Sequence, residues 1–346
     1  MWVKSSLDFG TFEYNNEINI YFNKNNKFYK RTQTFIKQEK TISNTNKLSF
    51  ISDQTKFLIQ YKDGYYHEII DFLGFFINAL EISKELNIKD PFFIFASAPS
   101  EGSQIRIFFD KLLQDLKINN YIILDKKIKI LEINNCFTLI DLKNPPPVPS
   151  PVESMYNLFK NLYVKEKDEI PFKKVYLSRR KVWRNINEKD IYEKGINLNL
   201  NSKKSRPRTE IRIFEEEKLE NFLINFGVEI IHPEEFFKNN YASQIDYFYK
   251  TKTLISVTSS GLINQIWMQP NTNVIEISTS LMFVDNHLFD KDYDVINEYL
   301  QNAYKDFSYL KDQSYFAIAN KDLQADTIIN KIKNNKYVMS ILNENY

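Results

Sequence analysis

The chain has 346 residues, 43% hydrophobic and 26% charged, with 46 basic and 44 acidic side chains for a net charge of +2. That length accommodates two domains and the composition is ordinary for a globular protein, while the near balance of charge lacks the clustered basic excess of a nucleic-acid binder. Cys136 is the one cysteine, which excludes an internal disulfide and a cysteine-based metal site and points to a reducing compartment.

Met1-Trp2-Val3-Lys4 lacks the apolar core of a secretion signal. The longest apolar stretch, from Phe72 to Leu80, is too short to span a bilayer and is broken by Gly74 and Asn78. A cytoplasmic protein is expected, with membrane contact peripheral at most.

In chain order, the first sixty or so residues read as irregular strands, Ile18 to Phe22 and Phe57 to Tyr61 among them, separated by polar turns. A helix follows from His67 to about Leu86, its buried face marked by Ile69, Leu73, Phe76, Ile77 and Leu80 at helical spacing. The strand Phe92 to Ala96, the helix Gln104 to Leu116 and the strand Tyr121 to Leu124 form a parallel βαβ unit. The loop from Ser97 to Ser103 is either an acceptor-side loop or a plain connection.

Residues 145–151 hold five prolines, which favour a stiff extended connection, so they read as a linker between domains 1–144 and 152–346. The last helices are candidates to pack back on the first domain. Beyond the linker come strands at Val175 to Leu177, Val228 to Ile231, Leu254 to Val257 and Val274 to Ile277. Helices between them (Glu215 to Phe226, Ser243 to Lys250, and a short one ending at Met268) complete a doubly wound sheet. Glu215, Glu216 and Glu217 suit the positive end of their helix, and Gly227 ends it. The expected class is therefore α/β, with two Rossmann-like domains facing each other across a cleft at the carboxyl ends of their strands.

Thr258-Ser259-Ser260-Gly261 runs from a buried strand into a helix start. Backbone N–H groups and hydroxyls converging there suit a phosphate, and Gly261 permits close approach. The same residues also make an ordinary βα turn with an N-cap serine. The acidic run Asp290-Lys291-Asp292-Tyr293-Asp294 lacks the glycine of a calcium loop and reads as a solvated turn, so no metal is expected.

Several blocks read together resemble glycosyltransferase family 61. They are Val175-Tyr176-Leu177-Ser178-Arg179-Arg180, Ile211-Arg212-Ile213-Phe214-Glu215-Glu216, Phe226-Gly227-Val228-Glu229-Ile230-Ile231-His232-Pro233, Ser260-Gly261-Leu262-Ile263-Asn264 and Val274-Ile275-Glu276-Ile277. The resemblance implies a GT-B fold whose C-terminal domain holds a nucleoside-diphosphate sugar, expected to be a UDP-sugar, which is a substrate and not a cofactor. It makes Arg179 and Arg212 the cations for the pyrophosphate and matches Ser260, Gly261 and Asn264 to the glycine loop, with Ser259 beside them. It also matches Glu276 to a strand-end glutamate, an acceptor for ribose hydroxyls or simply an exposed residue. His232 faces the nucleotide or is structural. Three departures stand out: one loop glycine where the family has two, Glu215 in place of the family asparagine, and a long segment from 181 to 211 carrying Trp183, Arg184, Arg206 and Arg208.

Tyr65-Tyr66-His67-Glu68-Ile69-Ile70-Asp71 resembles the family's Tyr-x-His-Trp-x-x-Glu segment. On an α-helix His67, Asp71, Gly74 and Asn78 share the side opposite the apolar stripe. They would line a ligand cleft with Gly74 leaving room, or form the wet face of an amphipathic helix. An inverting transfer needs a base for the acceptor hydroxyl, and Asp71 is placed ahead of His67 because a carboxylate is unprotonated without tuning.

The expected function is an inverting, metal-independent transferase acting on a glycan or lipid-linked glycan acceptor in surface polysaccharide assembly. A non-catalytic glycan- or nucleotide-binding protein, or a sugar-nucleotide epimerase, on the same fold are the alternatives.

Overall fold

The computed structural model describes residues 2–4, 10–14, 18–24, 27–31, 36–40, 47–50, 53–60, 65–96, 99, 101–124, 130–133, 136–139, 149–180, 213–236, 240–279, 304–320 and 324–344. Arg212, the segment 181–211, His287 and the acidic run 290–294 lie outside the described residues. The chain divides into two units, Met1–Met155 and Tyr156–Tyr346.

The first unit begins with strands β1 (Trp2–Lys4), β2 (Gly10–Tyr14), β3 (Ile18–Lys24), β4 (Lys27–Arg31), β5 (Ile36–Lys40), β6 (Lys47–Phe50) and β7 (Lys56–Gln60). Helix α1 follows in three parts: Tyr65–His67, a π-helical stretch Glu68–Leu73, and Gly74–Glu85. Then come β8 (Phe92–Ala96), α2 (Gln104–Asp115), β9 (Tyr121–Ile123), β10 (Ile130–Ile133) and β11 (Cys136–Leu139). One sheet runs β1-β11-β7-β8-β9, with β11, β7, β8 and β9 parallel and β1 antiparallel. The parallel βαβ reading of β8–α2–β9 is therefore correct. A second sheet, β5-β4-β3-β2-β10-β6, is mostly antiparallel and was not expected from a segment that read as irregular strands.

The core beneath α1 is aromatic. Phe72 and Phe95 each hold their rings 4.8 Å from that of Phe109, and Phe76 stands edge-on to Phe93 at 5.4 Å. Rings in such arrangements add about 1 kcal/mol per pair to their burial. Helix α3 (Pro149–Tyr163) starts inside the proline-rich segment, with Pro149 and Pro151 in its first turn. Proline is tolerated there because the first N–H groups of a helix have no partner within it.

In the second unit lie β12 (Lys173–Leu177), α4 (Glu216–Ile224), β13 (Glu229–Ile231), α5 (Pro233–Phe236), α6 (Tyr241–Tyr249) and β14 (Thr251–Val257). A 3-10 helix (Ser260–Trp267), β15 (Asn273–Thr279), β16 (Ser314–Asn320), α7 (Ala325–Asn334) and α8 (Lys336–Asn343) complete it. All five strands are parallel, in the order β13-β12-β14-β15-β16. Apolar runs such as Leu254-Ile255 and Val274-Ile275 are buried on both faces, as parallel strands require. One face packs Tyr176, Ile255, Ile275 and Ile318 against Leu219 and Leu223 of α4 and the apolar sides of α7 and α8.

The C-terminal helices close on this same unit. Lys174 is buried and its Nζ donates to the carbonyls of Leu342 and Glu344, at 2.7 and 2.9 Å, where the end of α8 leaves acceptors unused. Burial lowers the Lys174 pKa. Among the described residues, no helix is long and apolar enough to cross a membrane.

Candidate functional site

The strand order reverses between β12 and β14, so the crevice beyond their carboxyl ends is where an open parallel sheet binds ligands. Two segments meet there: Ser178-Arg179-Arg180 after β12, and Thr258-Ser259-Ser260-Gly261 after β14.

The first segment is held by side chains from α4. Ser178 extends the pairing of β12 with β13, its N–H donating to the Ile231 carbonyl at 2.9 Å. Its hydroxyl donates to Glu220 Oε1 at 2.6 Å and accepts from the Arg180 amide at 3.1 Å. Glu216 Oε1 accepts from the Tyr176 hydroxyl at 2.7 Å and the Arg179 amide at 3.0 Å. Glu216 and Glu220 are both buried, and burial pushes the Glu216 carboxyl above its ordinary range despite those two donors.

The two arginines have different surroundings. Arg180 is an ion-pair partner: its Nε and terminal nitrogen reach Glu220 at 3.2 and 2.9 Å, and a further nitrogen reaches Glu217 at 3.4 Å. Arg179 Nε is shielded from solvent and meets no acceptor among the described residues. A buried donor left so costs about 1–3 kcal/mol, and an anion placed in the crevice would relieve that cost.

The second segment is braced from the opposite face. Thr258 N–H donates to the Ile277 carbonyl at 3.0 Å, and its hydroxyl donates to Glu276. Tyr304, in the helical stretch 304–310, donates to the Ser259 carbonyl at 2.8 Å. Gly261 is needed for space and not for an unusual backbone angle: a Cβ there would stand 3.3 Å from Leu177 Cδ1 and 3.4 Å from Ser259 Oγ. The glycine thus seats the 3-10 helix against the end of β12. The helix starts beside the end of β12, and the first N–H groups of a helix lack partners within it. Asn264 turns its amide back onto the Gly261 carbonyl at 2.9 Å and so shapes the loop from within.

Glu276 is neither an exposed strand end nor presented to a ligand. It is 0% exposed, and its two oxygens accept from the Thr258 and Tyr315 hydroxyls. The register explains this: Glu276 pairs with Ser256 and Ala317 in the middle of the sheet, on the face covered by the 3-10 helix. Burial pushes its carboxyl up to about 7, and the two hydroxyls pull the other way. His232 follows β13 at the carboxyl end of the sheet, and its carbonyl starts α5 by accepting from the Glu235 and Phe236 amides.

In the first unit, His67 Nδ1–H donates to Asp71 Oδ2 at 2.7 Å, with side chains 50% and 16% exposed respectively. The π-helical stretch begins just after His67, and the Gly74 amide donates five residues back to Ile69. Gly74 does not leave room for a ligand. It is buried, and the space beside it is taken by Met155, whose Cε and Sδ lie 3.4 and 3.5 Å from where a Cβ would be.

Sequence reasoning missed the bracing roles of Glu216, Glu220, Tyr304 and Tyr315. The signal for the first two was present: Glu216 and Glu220 share the helical stripe of Leu219 and Leu223, and carboxylates on an apolar stripe need buried partners. No curated protein gives a match to the chain. The pattern of the family Glycosyltransferase 61 matches residues 65–275, a span that opens on the helix of His67 and Asp71 and closes in β15 at Ile275. The chain belongs to the glycosyltransferase 61 family.

Proposed function

We propose that the protein is an inverting, metal-independent glycosyltransferase of the GT-B type, in which the second unit binds a nucleoside-diphosphate sugar such as a UDP-sugar. The observation that carries this reading is Arg179, a guanidinium with a shielded, unmatched Nε at the switch point of a parallel sheet, next to a hydroxyl- and glycine-bearing helix start. Arg179 and Arg212 supply the positive charge that the departing diphosphate needs, with Ser259, Ser260 and the N–H groups of the 3-10 helix beside them. Thr258, Asn264 and Glu276 hold that loop in shape, and Glu276 is assigned to this bracing in place of a ribose contact. His232 borders the nucleotide.

The transfer itself is a displacement. The acceptor hydroxyl oxygen bonds to the anomeric carbon, the bond to the diphosphate oxygen breaks, and the nucleoside diphosphate leaves with that electron pair. The acceptor proton passes to a base, and the sugar configuration inverts. We place His67 ahead of Asp71 as that base. Asp71 is largely covered and engaged with Nδ1 of His67, so it fixes the tautomer with Nε2 as the proton acceptor on the more exposed side chain. The acceptor is a glycan or lipid-linked glycan in surface polysaccharide assembly, made at the cytoplasmic side with transient membrane contact.

The reading is tested by incubating the protein with a panel of nucleotide sugars and acceptor glycans, with EDTA present, and following release of the nucleoside diphosphate. Acceptor-dependent release that persists in EDTA supports it. Interconversion of the free donor sugar would point to an epimerase instead.

A further inference from the structure

We infer that Glu216 is a positioning residue for the diphosphate site, acting through Arg179, and that Glu220 sets Arg180 apart as a structural clamp. This rests on the donor-site reading above. The adjacent arginines follow the same strand, and sequence alone gives no reason to separate them. Their carboxylate partners on α4 do. Glu220 takes the Arg180 guanidinium through two nitrogens and the Ser178 hydroxyl through the same carboxylate, while Glu217 adds a third contact to Arg180. That cation is already neutralised within the fold.

Glu216 instead takes the Arg179 backbone. One carboxylate oxygen receives both the Arg179 amide and the hydroxyl of Tyr176, a ring that is itself fully buried. With the following amide, that of Arg180, bonded to Ser178 Oγ, the turn at Arg179 is held on both sides. Its side chain leaves a fixed backbone with its Nε unmatched, so the geometry spends the carboxylate on direction and leaves the guanidinium's charge for an anion.

A double-mutant cycle read by calorimetric binding of UDP tests this. Arg179→Ala and the near-isosteric Glu216→Met should each weaken UDP binding about tenfold or more, and the double variant should be no weaker than either alone, because the second change acts through the first. Glu216→Gln keeps an acceptor oxygen for both donors and should stay within about threefold of wild type. Additive losses in the cycle would overturn the inference while leaving the donor site standing. A tenfold loss in Glu216→Gln with an unchanged melting temperature would overturn it too, and that arm decides the matter if Glu216→Met does not fold. Wild-type protein that binds neither UDP nor any other common nucleoside diphosphate would overturn the donor reading and this inference together.

Discussion

Replacing Glu276 with glutamine removes a titration from the middle of the second sheet. In the folded protein, burial lifts this carboxyl from 4.5 to about 7. Between those values the folded protein holds a proton that the unfolded chain releases. The stability this group contributes is therefore full below its unfolded pKa and is lost as pH rises through the folded one. Over that interval, at about 1.4 kcal/mol per pH unit, the loss comes to about 3 kcal/mol. Against a typical total of about 5–15 kcal/mol, that is readily measured. Glutamine keeps a carbonyl for one hydroxyl and cannot ionise. Urea unfolding of both proteins should then show the stability difference, variant minus wild type, growing by about 3 kcal/mol between about pH 4.5 and about pH 7.5 and levelling above. A difference that stays constant across that range would refute the reasoning.

Glu215 caps α4 in the left-handed region, at φ 53° and ψ 39°, and its side chain pairs with the exposed Lys218. Glu215→Asn should raise the unfolding free energy by about 1 kcal/mol, since asparagine tolerates that conformation and the exposed ion pair is worth little; a fall would contradict it. Gly261→Ala places a Cβ 3.3 Å from Leu177 Cδ1, so the Leu177 side chain or the 3-10 helix must give by a few tenths of an ångström. Thermal unfolding should show a loss of about 1 kcal/mol and titration a UDP affinity lower by about tenfold, and a variant matching wild type in both would remove the close seat from the account. His67→Ala should lower turnover by about a hundredfold or more with donor KM little changed, and Asp71→Asn by about tenfold. A larger loss in Asp71→Asn would restore the carboxylate as the base.

The sheet of the second unit was legible because its strands are short apolar runs buried on both faces, punctuated by Gly227, Pro233 and Pro270, and such runs read the same in isolation as in the fold. β16 was not, because Ser314-Tyr315-Phe316-Ala317 lies at the sheet edge and mixes exposed with half-buried positions. The six-stranded sheet of the first unit is built from lysine- and asparagine-rich strands whose pairing depends on distant partners, β10 with β6 and β2. At the site, residue types were legible and their directions were not. Glu276 looked like a strand-end ligand until the register placed it under the 3-10 helix. Gly74 looked like open space until Met155 filled it. Two adjacent arginines became distinct only through the carboxylates of a helix forty residues along the chain.

The central claim is that this chain moves a sugar from a nucleoside diphosphate to an acceptor with inversion. Proton NMR of the reaction mixture, with EDTA present, reads the anomeric configuration of the product against that of the donor. The account predicts an acceptor-linked sugar of opposite configuration, with signal lost in Arg179→Ala and His67→Ala. Retained configuration, or nucleotide binding with no transfer to any acceptor, would contradict it.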